Sequence, residues 1–348
     1  MRIGFIGAGK QAQSAHLPNY AAIEDCRIAG IADLDAELAA RVATRYGAPH
    51  FRTHQELLAA ANPDAVVVTL PPVPAAEALI IDVLEAKVPL IVEKPLAGSV
   101  AAAERICAKQ AETGTPLFVG YHKRSDPATM HAKAEIEKRR SDGAWGAIRY
   151  ARVQVSLGGD WIANAYRGTL AGKPPPPGEP ASTDDFRGLS EAAILRFQRF
   201  LGTHSHQFDL MRHLIGPFRI SYADPTGVLL VVTGEGGFPG VFEFAPYRST
   251  KDWRENALVA FERGYVRVDL PAPLAINRAG TAEVFCDLGG EAIPGTTIPV
   301  FPHVSAMAAQ AKNFVGFLAG ERTPLCPAAE ALAALVTCRE WATAPAFA

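Results

Sequence analysis

Short apolar runs alternate with alanine-rich stretches through the first 120 residues of the chain. The apolar runs are rich in β-branched residues and occupy Arg2–Ile6, Arg27–Ala32, Ala65–Thr69, Leu90–Val92 and Leu117–Val119. The stretches with helical spacing are Ala36–Tyr46, Ala75–Glu85 and Val100–Thr113. Near-continuous apolar strands separated by helices are typical of a parallel sheet covered on both faces. We therefore predict a doubly wound α/β domain at residues 1–122.

The pattern changes after Pro127. A polar helix is expected over Ala128–Arg140, and the alternation of Ala147–Leu157 predicts a strand. Residues 158–188 form an irregular excursion that contains the proline run Pro174–Pro177. Loops of this length are usually functional lids or disordered segments. The next helix is expected over Leu189–Ile215, with an interruption at Gly202.

Several strand-like runs then follow without an intervening helix, which favours a mainly antiparallel sheet. They are Val228–Thr233, Val241–Phe244, Ala257–Glu262 and Tyr265–Leu270. Two helices, at about Ser305–Ala319 and Ala328–Trp341, close the chain. Residues 123–348 are therefore predicted to be a second domain of α+β class with a large open sheet. Its last helix is a candidate for packing back on the first domain.

Composition narrows the class of protein. The length of 348 residues fits two domains at roughly 150 residues each. The formal charge of -2 argues against a basic protein that binds nucleic acid or a membrane surface. No apolar run is long enough to span a bilayer. Five scattered cysteines without a CxxC pair indicate reduced thiols, and the N-terminus lacks the features of a signal peptide. A cytoplasmic location is therefore expected.

A glycine fingerprint follows the first strand. The hexapeptide G-x-G-x-x-A consists of Gly7, Ala8, Gly9, Lys10, Gln11 and Ala12. In this context Gly7 permits a tight turn, Gly9 lets a diphosphate approach the backbone, and Ala12 keeps the next helix close to the sheet. An ordinary strand–helix turn is the alternative reading. The position between a strand and a helix favours a dinucleotide site.

Asp33 ends the second strand, 24 residues after Gly9. A carboxylate here would bind the ribose hydroxyls and repel a 2′-phosphate, so NAD(H) is preferred to NADP(H). Asp33 could instead cap the next helix, a role equally open to Asp35. The residues that end another strand, Thr69, Leu70 and Pro71, are expected to line the nicotinamide ribose side.

With these features, further motifs give the chain a resemblance to the Gfo/Idh/MocA oxidoreductase family. The motifs are Glu93-Lys94-Pro95, the segment Gly120–Pro127, His206 to Asp209 with Leu214–Gly216, and Phe317–Glu321. The resemblance implies an N-terminal Rossmann domain and a C-terminal substrate-binding and oligomerisation domain. It also implies oxidation of sugar, cyclitol or sugar-acid hydroxyls, or reduction of the matching carbonyls, with a nicotinamide cofactor. Relatives form homodimers or homotetramers, and an uncovered antiparallel sheet favours the same here.

The resemblance also implies roles for single residues. Lys94 would lie beside the nicotinamide and hold the reacting oxygen, with Glu93 positioning it and the Lys94–Pro95 bond a candidate for the cis form. His206 would move the proton, and Asp209 is a candidate either to orient its ring or to cap locally. His122 and Arg124 are candidates for substrate contacts. The alternatives are that Lys94 is a solvated surface lysine, that His206 only packs against its neighbours, and that His122 and Arg124 belong to a solvated polar loop.

The chain departs from the family pattern at Gly202, where many relatives carry an aspartate four residues before the histidine. Tyr166, Asp184 and Asp185 in the excursion are candidates to replace it. His206, Asp209 and His213 share a helical face, but the family chemistry uses no metal and none is expected. Two other functions stay open: an NAD(H)-binding sensor without catalysis, and a hydrolase or lyase that uses NAD transiently.

Overall fold

The computed structural model describes residues 1–156, 158–163, 165–173, 182–245, 247 and 249–347. The proline run Pro174–Pro177 and the predicted strand end at Leu157 lie outside these residues. Contacts divide the chain into two compact units. The first consists of Met1–Tyr121, Ala165–Ile194 and Gln310–Val336, and the second of His122–Asn164, Leu195–Ala309 and Thr337–Ala348. The domain boundary at residue 122 stays a prediction, while two later segments group with the first unit.

The first unit contains a seven-stranded sheet. In chain order its strands are β1 (Arg2–Ile6), β2 (Arg27–Ala32), β3 (His50–Phe51), β4 (Ala65–Val68), β5 (Leu90–Val92), β6 (Leu117–Val119) and, near the end of the chain, β15 (Cys326–Pro327). They lie in the order β15-β6-β5-β4-β1-β2-β3. All pairs are parallel except β15 with β6. The predicted doubly wound parallel sheet is confirmed.

Helices cover this sheet. They are α1 (Leu17–Ala21), entered through a π-helical turn at Ala12–His16, α2 (Ala36–Arg45), α3 (His54–Ala61), α4 (Pro74–Glu85) and α5 (Val100–Thr113). Asp35 caps α2 and Ser99 caps α5, each by accepting from a backbone amide in the first turn. The core of the unit joins Phe5 of β1 and Ile91 of β5 to Tyr20 of α1, and it includes Phe314. The carboxyl ends of the strands are thereby fixed by packing.

The second unit contains an eight-stranded sheet. Its strands are β7 (Ile148–Val155), β8 (Phe218–Ala223), β9 (Leu229–Gly234), β10 (Pro239–Phe244), β11 (Glu255–Phe261), β12 (Gly264–Leu270), β13 (Thr281–Cys286) and β14 (Gly295–Thr297). The order is β14-β13-β12-β11-β7-β10-β9-β8. Only β7 and β10 pair in parallel among these described strands. The prediction of a mainly antiparallel sheet is confirmed.

Four longer helices complete the fold: α6 (Pro127–Asp142), α7 (Glu191–Ile215), α8 (Ala306–Leu318) and α9 (Ala328–Ala342). The predicted interruption at Gly202 is wrong, because α7 continues through it. One glycine costs a helix interior only about 1 kcal/mol, and the buried Leu201 and Phe208 pack the helix before and after the glycine. Among the described helices, none is both long and apolar enough to cross a lipid bilayer. All five cysteines are free thiols.

Candidate functional site

The glycine turn after β1 requires glycine at its first position. Gly7 has φ +99°, and a Cβ atom built there would lie 2.7 Å from Thr69 Oγ1 and 2.9 Å from the Thr69 carbonyl oxygen. The Thr69 hydroxyl donates to the Gly7 carbonyl at 3.0 Å, and the Gly7 amide donates to Ala32 at 2.8 Å. Thr69, expected to line a ribose, thus lies at the end of β4 and holds the turn itself.

The next part of the turn leaves room for a ligand. A Cβ atom built at Gly9 meets no atom of the described residues within 4 Å. The helix begins there, since the Gln13 amide donates to the Gly9 carbonyl at 3.1 Å, and Ala12 is fully buried against the core. An open glycine at a helix N-terminus is the arrangement that accepts a dinucleotide diphosphate, so these residues fit the expected cofactor.

Asp33 is bound to the glycine turn. One of its carboxylate oxygens accepts from the Ala8 amide at 2.7 Å, and the other accepts from the Asp35 amide at 2.8 Å. Asp35 caps α2 by accepting from Leu38 at 3.1 Å, so the alternative that Asp33 is the cap is wrong. The Lys173 amide, followed by that of Leu38, lowers the pKa of Asp35 below its usual value. Two carboxylates therefore stand at the end of β2.

Residues 165–173 of the excursion, here called the strap, run along the glycine turn. The Gln13 side chain donates to the carbonyls of Ala8 at 2.8 Å and Leu170 at 3.0 Å, and it accepts from the Leu170 amide at 2.7 Å. Tyr166 donates to the Gln11 side chain at 3.5 Å, and the Lys10 ammonium lies 5.7 Å from the Tyr166 ring centre. Tyr166 therefore lies beside the fingerprint. Nothing local in the sequence marks Gln13 as the residue that holds the strap.

Glu93 and Lys94 follow β5. Glu93 accepts from His16 at 2.6 Å, from Gln11 at 3.2 Å and from the Lys94 amide at 3.1 Å. Burial alone would raise the pKa of Glu93, but the hydrogen bond and charge of His16, with Gln11 and Lys94, hold it below its usual value. The Lys94–Pro95 bond is cis. Glu93 is thus a partly buried anion whose pKa the charge of Lys94 also lowers, and sequence reasoning missed its partner His16.

Two candidates to replace the aspartate missing at position 202, Asp184 and Asp185, are both bound to arginines. Asp185 accepts from Ser99 and forms an ion pair with Arg105 of α5 at 2.9 Å. The Arg105 hydrogen bond lowers the pKa of Asp185. Asp184 pairs with Arg187 on the surface. The two carboxylates therefore fasten the segment around Thr183–Phe186.

In the second unit, the turn His122–Ser125 is buried and carries two cations that are both paired. Arg124 donates through Nε and Nη2 to the Asp209 carboxylate of α7, at 2.6 to 3.0 Å. Lys123 donates to Glu255 of β11 at 2.5 and 2.6 Å. Arg124, expected to contact substrate, and Asp209, expected to orient His206, bind each other, and both expectations stay predictions. The pair ties the turn to α7.

Glu255 is a residue that the sequence did not single out. It also accepts from Gln207 at 2.6 Å and from the Trp253 indole at 3.3 Å. It is 2% exposed. Buried carboxylates are kept where every oxygen has donors, and here the donors come from three elements. Glu255 therefore fixes Lys123 and Gln207 relative to one another.

Three histidines of α7 have different surroundings. His204 lies 4.2 Å from Phe244 and 5.5 Å from Trp341 between ring centres, and burial with the nearby Arg199 lowers its pKa to about 3. Burial, then Arg124 and Lys133, lowers the pKa of His213 to about 2. His206 is half-buried and its ring centre lies 5.0 Å from that of His122, edge to face. His122 and Lys123 also border an open pocket with Asp126 and Arg278.

No group of three or more histidine, cysteine, aspartate or glutamate side chains in the described part of the chain could hold a metal ion. Asp209, one of the three residues that share a face of α7, is engaged by Arg124.

Residues 1–121 match the model of the oxidoreductase family with an NAD-binding Rossmann fold. Inositol 2-dehydrogenase from Rubrobacter xylanophilus is 30% identical over 169 residues, which are 46% of this chain and 47% of that protein. 4-Carboxy-2-hydroxymuconate-6-semialdehyde dehydrogenase from Sphingobium sp. is 37% identical over 137 residues, 39% of this chain and 43% of that protein. The matches thus span about half the length of these curated relatives or less.

One solved structure covers both units. UDP-N-acetylglucosamine 3-dehydrogenase from Acidithiobacillus ferrooxidans aligns with a TM-score of 0.67 and 21% identity, over 97% of this chain and 95% of that one. Identity at this level shows a shared fold. Residues 1–121 are thus similar to the Gfo/Idh/MocA oxidoreductase family with an NAD-binding Rossmann fold, and the chain shares its fold with that solved structure.

Proposed function

We propose that the protein is an NAD(H)-dependent oxidoreductase that interconverts an alcohol of a sugar, cyclitol or sugar acid and its carbonyl form. The observation that carries this proposal is the glycine turn with open space at Gly9, bounded by Asp33, within the segment that matches the family. The names of the relatives support dehydrogenation of hydroxyl-bearing or aldehyde substrates. The inositol 2-dehydrogenase and the UDP-N-acetylglucosamine 3-dehydrogenase of the neighbouring structure are both named for a carbohydrate-like alcohol.

The first unit holds the cofactor in this proposal. The backbone at Gly7–Ala12 takes the diphosphate, and Asp33 takes the ribose hydroxyls, while Thr69–Pro71 border the same edge of the sheet. When bound, NAD supplies the acceptor for a hydride, and NADH supplies the donor. We prefer NAD to NADP because Asp33 and Asp35 place negative charge at the end of β2, where a 2′-phosphate would meet it.

Lys94 binds the reacting oxygen. Its ammonium stabilises the negative charge that develops on that oxygen when the proton leaves, and such charge stabilisation is often the largest catalytic effect. The Glu93 anion, held ionised by His16, keeps the neighbouring lysine in a site of balanced charge. Glu93 is thus a positioning residue.

His206 accepts the hydroxyl proton in the oxidation and returns it in the reduction. Among the α7 histidines, His204 is committed to aromatic packing and His213 is held neutral by burial and two cations. His206 is half-buried, and an imidazole is the side chain that suits general acid–base catalysis near neutral pH.

Binding of NADH followed by fluorescence, and turnover of an alcohol panel followed by nicotinamide absorbance, test the proposal. The panel contains myo-inositol, other cyclitols, aldoses, sugar acids and UDP-N-acetylglucosamine. Lys94→Met should lower kcat by about 100-fold or more while changing NADH affinity little, and the exposed Lys138→Met is the matched control. Equal kcat in Lys94→Met would exclude Lys94 from the mechanism.

Two outcomes of the same panel separate the other functions. NADH binding without turnover of any alcohol would favour a sensor, for which the glycine at position 202 is the specific observation. Conversion of a substrate without net NADH would favour a hydrolase or lyase that oxidises and re-reduces it.

A further inference from the structure

The strap is joined to the glycine turn of the first unit at two places. The Gln13 side chain donates to the Ala8 carbonyl at 2.8 Å and to the Leu170 carbonyl at 3.0 Å. It also accepts from the Leu170 amide at 2.7 Å. The Tyr166 hydroxyl donates to the Gln11 side chain at 3.5 Å. One part of the strap is therefore held on the turn that is proposed to take the diphosphate.

The last residues of the strap lie against the start of α2. The Lys173 amide donates to the Asp35 carboxylate at 2.7 Å. A Cβ atom built at Gly172 would lie 2.6 Å from Leu38 Cδ2 and 3.1 Å from Asp35 Oδ2. Leu38 is buried and has little room to move aside, so a side chain at position 172 would push the strap away from α2. The strap is therefore fitted closely to α2 as well as to the glycine turn.

The attachment of the strap uses atoms that a diphosphate does not need. An anion binds to amide hydrogens at a helix N-terminus, whereas the strap is held by the Ala8 carbonyl, the Gln13 side chain and the Asp35 carboxylate. Between these contacts, Leu170 packs against the core of the unit. The strap and a bound diphosphate therefore do not compete for the same groups, and each can be in place with or without the other.

The proposed ribose position lies between the two attachments of the strap. In a Rossmann fold the adenosine half of the dinucleotide extends from the glycine turn to the acidic residue that ends the second strand, here Asp33. Asp33 accepts from the Ala8 amide at 2.7 Å and from the Asp35 amide at 2.8 Å. The same two residues hold the strap, Ala8 through Gln13 and Asp35 through Lys173. The strap and the adenosine half therefore extend between the same two points.

We propose that the strap is a gate for the adenosine half of NAD(H), which enters and leaves the site when the strap is released from Gln13. The proposal rests on the proposed function, of which it uses only the cofactor. Because the strap is held by protein atoms, weakening its attachment favours the released strap whether or not NADH is bound. Entry and exit of NADH should therefore both become faster, while the affinity changes less than either rate.

Stopped-flow fluorescence of NADH with the full-length protein tests the gate. Mixing gives the association rate constant, and displacement of bound NADH by excess NAD gives the dissociation rate constant. Gln13→Ala removes all three side-chain hydrogen bonds to Ala8 and Leu170, and both rate constants should rise about tenfold or more. Gln55→Ala, which removes an exposed glutamine bonded to Asp82, is the matched control and should leave both unchanged.

A second variant releases the strap without a change in the fingerprint. In Gly172→Val the added side chain meets Leu38 and Asp35, so this protein decides the matter if Gln13→Ala does not fold. Hydrogen–deuterium exchange over residues 165–173 on the same samples reports whether the strap is released.

The possible outcomes separate the gate from the proposed function. A released strap with unchanged NADH rate constants would overturn the gate alone. Faster dissociation with unchanged association would also overturn it, because the strap would then be a binding contact. A wild-type protein that binds no NADH would contradict the proposed cofactor, and the gate with it.

Discussion

The side chain of Gln13 binds both backbone polar groups of Leu170, donating to the carbonyl at 3.0 Å and accepting from the amide at 2.7 Å. The same side chain donates to Ala8 within the glycine turn. Since Leu170 also packs against the core of the first unit, one glutamine joins the turn, the strap and the core. The strap is therefore attached where the dinucleotide is proposed to bind.

Replacing Gln13 by alanine should loosen the strap. The change leaves the Leu170 amide and carbonyl without their side-chain partner, and each unsatisfied group costs about 1–3 kcal/mol if it stays buried. Strap amides should exchange faster in hydrogen–deuterium exchange, while those of β4 and β5 stay protected. Gln55→Ala, which removes an exposed glutamine bonded to Asp82, is the matched control. Identical exchange over residues 165–173 in Gln13→Ala and wild type would contradict the attachment.

The two glycines of the fingerprint should respond differently to alanine. At Gly7 the added Cβ would lie 2.7 Å from Thr69, and a φ of +99° is strained for alanine. Gly7→Ala should therefore lower the melting temperature. At Gly9 the Cβ meets no described atom within 4 Å, so Gly9→Ala should fold normally. Its methyl group would occupy space needed by the diphosphate, and NADH affinity should fall by about tenfold or more.

Thermal unfolding and NADH fluorescence titration on the same samples separate the two effects. A Gly9→Ala protein that binds NADH as tightly as wild type would place the diphosphate elsewhere. A Gly7→Ala protein of unchanged melting temperature would show that the turn adjusts around Thr69.

The strands of the first unit could be predicted because each buries a near-continuous apolar run. The limits of β1, β2, β5 and β6 match the runs in the sequence. By contrast, β3 has only two residues and the three residues of β14 are all exposed, so neither strand contains an apolar run. The missed strand β13 alternates Thr281 and Glu283 with buried residues, and glycine-rich flanks hide that signal.

The parts of the candidate site that could be predicted are local in sequence. The glycine turn and the strand end at Asp33 lie within one βαβ unit, where spacing carries geometry. The ion pair of Lys123 with Glu255 spans 132 residues, and the attachment of Gln13 to Leu170 spans 157. Such contacts depend on which strands become neighbours, and a single sequence holds no spacing rule for them. The same holds for Asp185, which Arg105 engages.

Stability at acidic pH should depend on His204. Burial and Arg199 lower its folded-state pKa to about 3, whereas an exposed imidazole has 6.5. Below pH 6.5 the unfolded chain therefore binds a proton that the folded chain does not. The free energy of unfolding should fall by about 1.4 kcal/mol per pH unit from this group as pH drops from 6.5 towards 3.

His204→Phe keeps a ring in the aromatic cluster with Phe244 and Trp341 and should remove that slope. Urea unfolding between pH 7.5 and about 4.5 measures it, because the window crosses the unfolded pKa of 6.5 and stays above the folded one. The exposed His50→Gln is the control. An equal slope in His204→Phe and wild type would show that His204 is not kept neutral in the fold.

Helix α7 should gain stability from Gly202→Ala. Gly202 is exposed inside an unbroken helix, and an added Cβ meets no described atom within 4 Å. Alanine lowers the backbone entropy of the unfolded chain and raises helix propensity, so the free energy of unfolding should rise by about 0.5–1 kcal/mol. Urea denaturation gives this difference directly. Gly316→Ala in α8 is the matched control, because its Cβ would lie 2.6 Å from the Glu321 carboxylate and part of the gain would be lost. A destabilised Gly202→Ala protein would mean that a close contact at position 202 requires glycine. A residue with a side chain would then be excluded one turn before His206.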